Sequence, residues 1–353
     1  MKEFIIPTSE LIKDYMEHFS VTKEDLSIKT GVSQTKIDKI LNDKIRLDPE
    51  LADKIAKVFE GLNVDYLLNY DQKYKEYLDE IDVVIDFEED ELKKISEKFK
   101  FSQVFKGLGW SLKKQAYEML KILDINNYKE FKHAFSNLNV NFMEDGGDKE
   151  AIAVWLKLCE EEIEFQNNIK AGVEFSLPKL EENLLKFKKI ANNGDLDSSL
   201  KSAKKLCNKL GINLVFKEAI VNSKVRGALV SYEGIPTIYL SDRFKRHDYL
   251  WFALMHEIGH LLLHYEKDKS LITVEDENCN IIEVDKKEFE ANEFAREFFI
   301  KKVDYLSFVK QKKFTKESIL RFTFEIGIQP GILISRLQRD RYIGYDKFNY
   351  LRS

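Results

Sequence analysis

The chain has little cysteine, proline or glycine, no long apolar run and no excess of positive charge, and each shortage excludes something. Only three cysteines occur in 353 residues, Cys159, Cys207 and Cys279, and no two form a Cys-x-x-Cys pair. An odd, scattered set argues against a disulfide framework and a cysteine zinc site, and points to a reducing, cytoplasmic setting. Five prolines and 15 glycines leave few breakers, so long helices and few irregular loops are expected. The longest apolar stretch, around 250–263, has His and Glu within it and is well short of the about 20 residues that cross a bilayer. No apolar run follows a basic start at the N-terminus, so neither a signal peptide nor a membrane partner is expected. Lys and Arg number 56 against 61 Asp and Glu, a net charge of -5. Such a chain does not coat nucleic acid, and any DNA contact requires a local patch.

What is present reads as three parts. Residues 1–72 break into short helices with clear punctuation. Thr22, with Asp25 three residues on, opens one helix and Gly31 closes it, Ser33 caps the next, and Asp48-Pro49 opens a fourth. Residues 73–90 are acidic and tyrosine-rich, which places a boundary at 72. Residues 73–192 read as a helical connecting segment, a candidate dimerisation element, with a loop at 145–148. In 193–353 the pattern changes. Runs at 212–216, 227–232 and 236–240 are β-branched or aromatic and bounded by turn residues, so three strands are expected. An apolar helix follows over about 248–265, another over 286–299, and the helical tail is interrupted at Pro330-Gly331. The expected fold class is α+β and predominantly helical, with an all-α N-terminal domain, a helical middle and a C-terminal domain in which a small sheet precedes a site-bearing helix.

That helix contains His256-Glu257-Ile258-Gly259-His260. Residues four apart lie on one helical face, so both imidazoles can bind one zinc ion, and Glu257 can take the proton of a water activated there. Such a helix is buried, and burying His and Glu without a partner is costly. A bare H-E-x-x-H also arises by chance in a charged helical protein; the apolar context and the strand upstream weigh against that. A catalytic zinc needs a third protein ligand. The segment 288–295 offers Glu288, Glu290 and Glu293, each otherwise a solvated carboxylate. Glu288 and Asn292 share a face, so one could bind metal while the other buttresses a ligating His. His264, one more turn along the motif face, could support a ligand from behind, but reads first as a polar residue at the helix end. Arg226, Tyr232 and Tyr239 are candidates to stabilise an oxyanion, though each reads first as structural.

Residues 22–41 read as helix, turn, helix, with Leu26, Val32, Ile37, Ile40 and Leu41 as core. The N-terminal residues of a second helix so placed contact base edges in the major groove, which nominates Ser33, Gln34, Thr35, Lys36 and Lys39 for DNA binding. Lys36, Lys39, Lys44 and Arg46 against Asp38 and Asp43 make the patch only modestly cationic. Specific binding to operator DNA would then need a homodimer and be sensitive to salt. A helical protein-interaction domain is the competing reading of the same residues.

The motif at 256–260, followed by Glu288-x-x-Ala291-Asn292-x-Phe294-Ala295, resembles the ImmA/IrrE metallopeptidases, gluzincin-type proteases, over about 195–345. Ile238-Tyr239-Leu240-Ser241, residues 327–331 and Arg336-Leu337-Gln338 resemble the subgroup fused to a helix-turn-helix and described as HigA-like antitoxins. Gly31-Val32-Ser33 with Leu51-x-x-Lys54-Ile55-Ala56 resembles the Xre/Cro family over about 8–70. Residues 296–301, Arg-Glu-Phe-Phe-Ile-Lys, depart from the Leu-x-x-Pro-like turn of many relatives. The resemblance implies a zincin-like C-terminal domain, a Zn2+ cofactor and Glu288 as third ligand. It implies cleavage of a partner repressor, or service as a regulator beside a partner toxin. It also suggests that the strand at 237–241 lies at the edge of a cleft and pairs with an extended protein or peptide substrate. Two functions therefore compete: a DNA-binding regulator with a zinc-dependent endopeptidase domain, and a non-catalytic antitoxin or repressor that binds operator DNA and a toxin. A third has the N-terminal helices docking a protein substrate without reading DNA.

Overall fold

A computed structural model describes residues 5–136, 140–141, 147–166, 173–243, 245–265, 270–274 and 286–352. Cys279 and residues 145–146 of the expected loop lie outside them. The chain divides into two compact units, Met1–Leu92 with Trp110–Tyr117, and Lys93–Gly109 with Glu118–Ser353.

In the first unit the helices are α1 (Thr8–His18), α2 (Lys23–Thr30), α3 (Gln34–Leu41), α4 (Pro49–Ala56) and α5 (Val64–Val84). The punctuation has the physical basis expected of it. Thr22 and Asp25 form a reciprocal capping box, and Gly31 adopts φ 66, a left-handed conformation open to glycine at no steric cost. Asp48 accepts from the Leu51 N–H at 2.8 Å, with Pro49 in the first helical turn. Leu26, Val32, Ile37, Ile40 and Leu41 are all buried, joined by Ile12, Leu51, Ile55 and Leu67. The acidic, tyrosine-rich segment is not a break in the chain. Helix α5 runs through position 72, because Tyr74, Tyr77 and Ile81 recur at helical spacing and bury one face while Glu76, Asp79, Glu80 and Asp82 stay exposed.

Between 89 and 209 lie α6 (Glu89–Lys98), α7 (Phe101–Val104), α8 (Leu112–Leu123), α9 (Phe131–Ser136), α10 (Lys149–Gln166), α11 (Leu177–Ala191) and α12 (Leu196–Lys209). The sheet of the second unit contains β1 (Val140–Asn141), β2 (Asn213–Lys217), β3 (Val225–Tyr232), β4 (Ile235–Ser241) and β5 (Ser270–Val274), in the order β1-β5-β3-β4-β2. After it come α13 (His247–Leu263), α14 (Lys286–Phe299), α15 (Lys302–Lys310), α16 (Lys316–Ile326) and α17 (Pro330–Arg339).

Two expectations about the sheet are corrected. It has β1 and β5 beyond the three strands anticipated. And β4 is internal, parallel to β2 on one side and antiparallel to β3 on the other. Its backbone donors and acceptors are committed to those ladders, so residues 237–241 cannot pair with a substrate peptide.

Successive residues of a strand face opposite sides of the sheet. Leu229, Ile238 and Leu240 share one core with Trp251, Leu254, Met255 and Ile258 of α13 and Leu333, Ile334 and Leu337 of α17. On the other side Tyr239 meets Trp155 of α10 edge to face, with ring centroids 6.2 Å apart. Helix α13 thus lies between the sheet and the α14 and α17 layer, which explains why nearly every residue from 247 to 261 is apolar or buried. Its first turn is pinned by the tail, where Arg352 donates to buried Asp248 at 2.5 Å.

Candidate functional site

His256, Glu257 and His260 are 3%, 0% and 0% exposed, so α13 carries three ionisable groups into the interior. Their nearest neighbour element is α14. Gly259 permits that approach: a methyl group there would come within 3.0 Å of the Phe294 ring and 3.3 Å of the Ala291 backbone. The close packing sets Glu288, in the first turn of α14, opposite the two histidines. Glu288 lies 3.2 Å from His256 Nε2 and 2.9 Å from His260 Nε2, and the two Nε2 atoms are 2.9 Å apart.

The outer nitrogens fix which atoms carry protons. His256 Nδ1 lies 3.2 Å from Asn292 Oδ1, so with Asn292 accepting, Nδ1 holds the hydrogen and Nε2 has a lone pair. On the other ring, His260 Nδ1 lies 3.2 Å from His264 Nδ1, and His264 Nε2 lies 2.7 Å from Glu290. The carboxylate of Glu290 can only accept, so His264 donates from Nε2 and accepts at Nδ1, and His260 donates from Nδ1. His260 Nε2 is then also a lone pair facing the centre.

Two lone pairs and a carboxylate, each about 3 Å from the next, repel unless a cation stands among them. These separations are close to the edges of a tetrahedron with bonds of ~2.0–2.1 Å, the coordination zinc takes with His and carboxylate ligands. The donor set therefore fits a zinc ion. Among the described residues, His256, His260 and Glu288 are the group whose ligand atoms converge in this way. The electrostatics agree. Burial lowers the His256 pKa, with the Arg226 charge adding to it, against the opposing pull of Glu288, so the ring favours the neutral form that ligates metal. Burial alone would raise the Glu288 carboxyl, but the two imidazoles that face it outweigh that and hold it well below the carboxylate range.

Glu257 occupies a floor shaped for it. A methyl group at Gly227 of β3 would lie 2.5 Å from Glu257 Oε1, so only glycine leaves room for this carboxylate. Next to Gly227 the β3–β5 register shifts between Val225 and Gly227, an irregularity that accompanies close approach.

The structure thus gathers His256, His260, Glu288 and Asn292 around one point, with Glu257 beside them. Glu293 turns away to Arg296 at 2.8 Å. His264 is not merely a polar helix end: it links His260 to Glu290. Its place one turn past His260 is what offered that role in the sequence. Nothing in the sequence singles out Gly227. Of the oxyanion candidates, Tyr239 belongs to the opposite face of the sheet, whereas the charge of Arg226 acts on His256.

In the first unit Ser33, Gln34, Thr35, Lys36 and Lys39 are all exposed along α3. Two are partly engaged locally. Ser33 Oγ accepts from the Lys36 N–H at 3.3 Å as the helix cap, and Lys36 Nζ lies 3.8 Å from Asp48. Lys23 neutralises Asp38 at 2.6 Å, which removes an acid from the neighbourhood of Lys39.

Comparison with protein families returns two matches. Residues 207–336 match the IrrE N-terminal-like domain of peptidase M78, and residues 12–67 match a helix-turn-helix domain. Neither a curated protein nor a solved structure gives a match. The chain joins an Xre-type helix-turn-helix domain, the mark of a DNA-binding regulator, to an IrrE-like domain of the M78 metallopeptidase family.

Proposed function

We propose that the protein is a DNA-bound regulatory endopeptidase that depends on zinc and cuts a repressor, another regulatory protein or itself. The observation that carries this is the convergence of two imidazole nitrogens and a carboxylate beside buried Glu257. His256, His260 and Glu288 would hold the ion. When bound, zinc supplies Lewis acidity, polarising a peptide carbonyl and making water a stronger acid. Glu257 accepts at a carboxylate oxygen the proton that the attacking water loses, and delivers it to the departing amine nitrogen. Asn292, and His264 with Glu290, keep the ligand rings in the required tautomer. Ser33, Gln34, Thr35, Lys36 and Lys39 face the major groove of an operator bound by a homodimer.

The test is a comparison of protein termini in cells that express the wild-type chain or Glu257→Gln. New N-termini present only with the wild type support the reading. Identical termini, with both proteins still binding DNA, overturn the peptidase reading and leave a non-catalytic repressor or antitoxin. A second expected outcome concerns the hydrogen-bond chain behind His260. His264→Ala should weaken zinc affinity about 10–100-fold, as loss of a group behind a ligand does. Competition with a chelating dye measures this, and unchanged affinity would show that the Glu290–His264 link does not orient His260.

A further inference from the structure

The face of the sheet turned away from α13 borders a cavity of about 100 Å3. Leu123, Ile125, Phe131, Phe135, Leu156 and Val230 form its apolar wall. Phe131 and Phe135 meet at 5.4 Å and present ring surfaces. One hydroxyl lines the same space, that of Tyr239, and among the described residues it has no hydrogen-bond partner although its oxygen is buried. Tyr239 is only 1% exposed. Burial pushes its phenol pKa up, so the hydroxyl keeps its proton and remains a donor. Behind it, the indole N–H of Trp155 is likewise buried with no partner among the described residues.

Buried donors ordinarily find acceptors, and a buried polar group left unsatisfied is destabilising. Water fills such a space well only where two to four polar groups meet it, and here an apolar wall faces one buried hydroxyl, that of Tyr239. At the rim Lys157 and Glu160 neutralise each other at 2.7 Å, so the opening favours no charge. Strand β3 lines the cavity at Val230 and Ser231 and backs Glu257 at Gly227. A molecule in the cavity would therefore touch the strand that lies under the candidate catalytic carboxylate.

We infer that this cavity binds a small, neutral ring compound carrying one hydrogen-bond acceptor, its ring against the aromatic wall and its acceptor facing Tyr239 Oη. The inference stands independently of the zinc reading, since it uses the other face of the sheet.

Pyridine and benzene test it, because they share one shape and differ in a single acceptor atom. The full-length chain, labelled with 15N, has three tryptophan indole signals, and Trp155→Phe identifies that of Trp155. Both probes, at a pH where pyridine is neutral, should shift the Trp155 signal saturably and leave those of Trp110 and Trp251 in place. Tyr239→Phe should weaken pyridine about three- to tenfold, the worth of one hydrogen bond, and benzene by less than about twofold. Ala134→Leu, which narrows the cavity from α9, should weaken both. Absence of a saturable shift for either probe, equal effects of Tyr239→Phe on the two, or undiminished binding in Ala134→Leu would each overturn the inference.

Discussion

His256→Ala should strip the chain of zinc. After zinc loading and extensive dialysis, the wild type should retain about one ion per chain, as a set of two His and one carboxylate can, and the variant almost none. The expectation follows from convergence. With His256 gone, His260 and Glu288 offer only two donors, and Asn292 loses the ring it orients. His260→Ala and Glu288→Ala should behave alike. Elemental analysis reads the result directly. A second readout is thermal: an ion that binds only the folded chain stabilises it by about 2.7 kcal/mol at 100 times its dissociation constant. Zinc should therefore raise the melting temperature of the wild type and leave that of His256→Ala unmoved. A folded wild type that retains no zinc would end the metallopeptidase reading.

Gly227→Ala should disable turnover without removing the metal. The added methyl group would stand 2.5 Å from Glu257 Oε1, closer than real contacts allow, and the group that must yield is the end of the Glu257 side chain. Its backbone neighbours are held by the pairing of Gly227 with Leu240 and Thr273 on either side. A displacement of about 1 Å at a reacting group costs on the order of 100-fold in rate. Cleavage at any terminus found with the wild type should fall by about that factor, while zinc content stays near that of the wild type. Unimpaired cleavage would mean that Glu257 acts from a position other than the floor on Gly227. Comparison with Glu257→Gln separates a misplaced carboxylate from a missing one.

Much of this was legible because it is local. The i, i+4 spacing of His256 and His260 is a property of one helical turn, and it holds in the folded chain. So do the caps at Thr22, Ser33 and Asp48, where a side chain satisfies a backbone N–H two or three residues away. The core of the helix-turn-helix followed from the same periodicity. Glu288 was one of three carboxylates on offer, and the choice depended on a resemblance. The packing of α14 against Gly259 separates them: Glu288 meets both histidines, Glu290 binds His264, and Glu293 pairs with Arg296. The course of α5 through position 72 escaped the reading because acidic composition masks a buried stripe of two tyrosines and an isoleucine.

The sequence by itself determined the elements: where helices start and stop, which faces are apolar, and that two imidazoles and a carboxylate share one turn of α13. Each of these depends on residues close together in the chain, and short-range sterics and hydrogen bonding decide them. Only the tertiary structure decided that Glu288 completes the donor set, that Gly227 makes room for Glu257, that β4 is buried between two strands, and that Tyr239 faces a cavity on the far side of the sheet. Those facts arise from contacts between segments remote in sequence, and a one-residue change in register or a modest shift in helix packing would reassign every one of them.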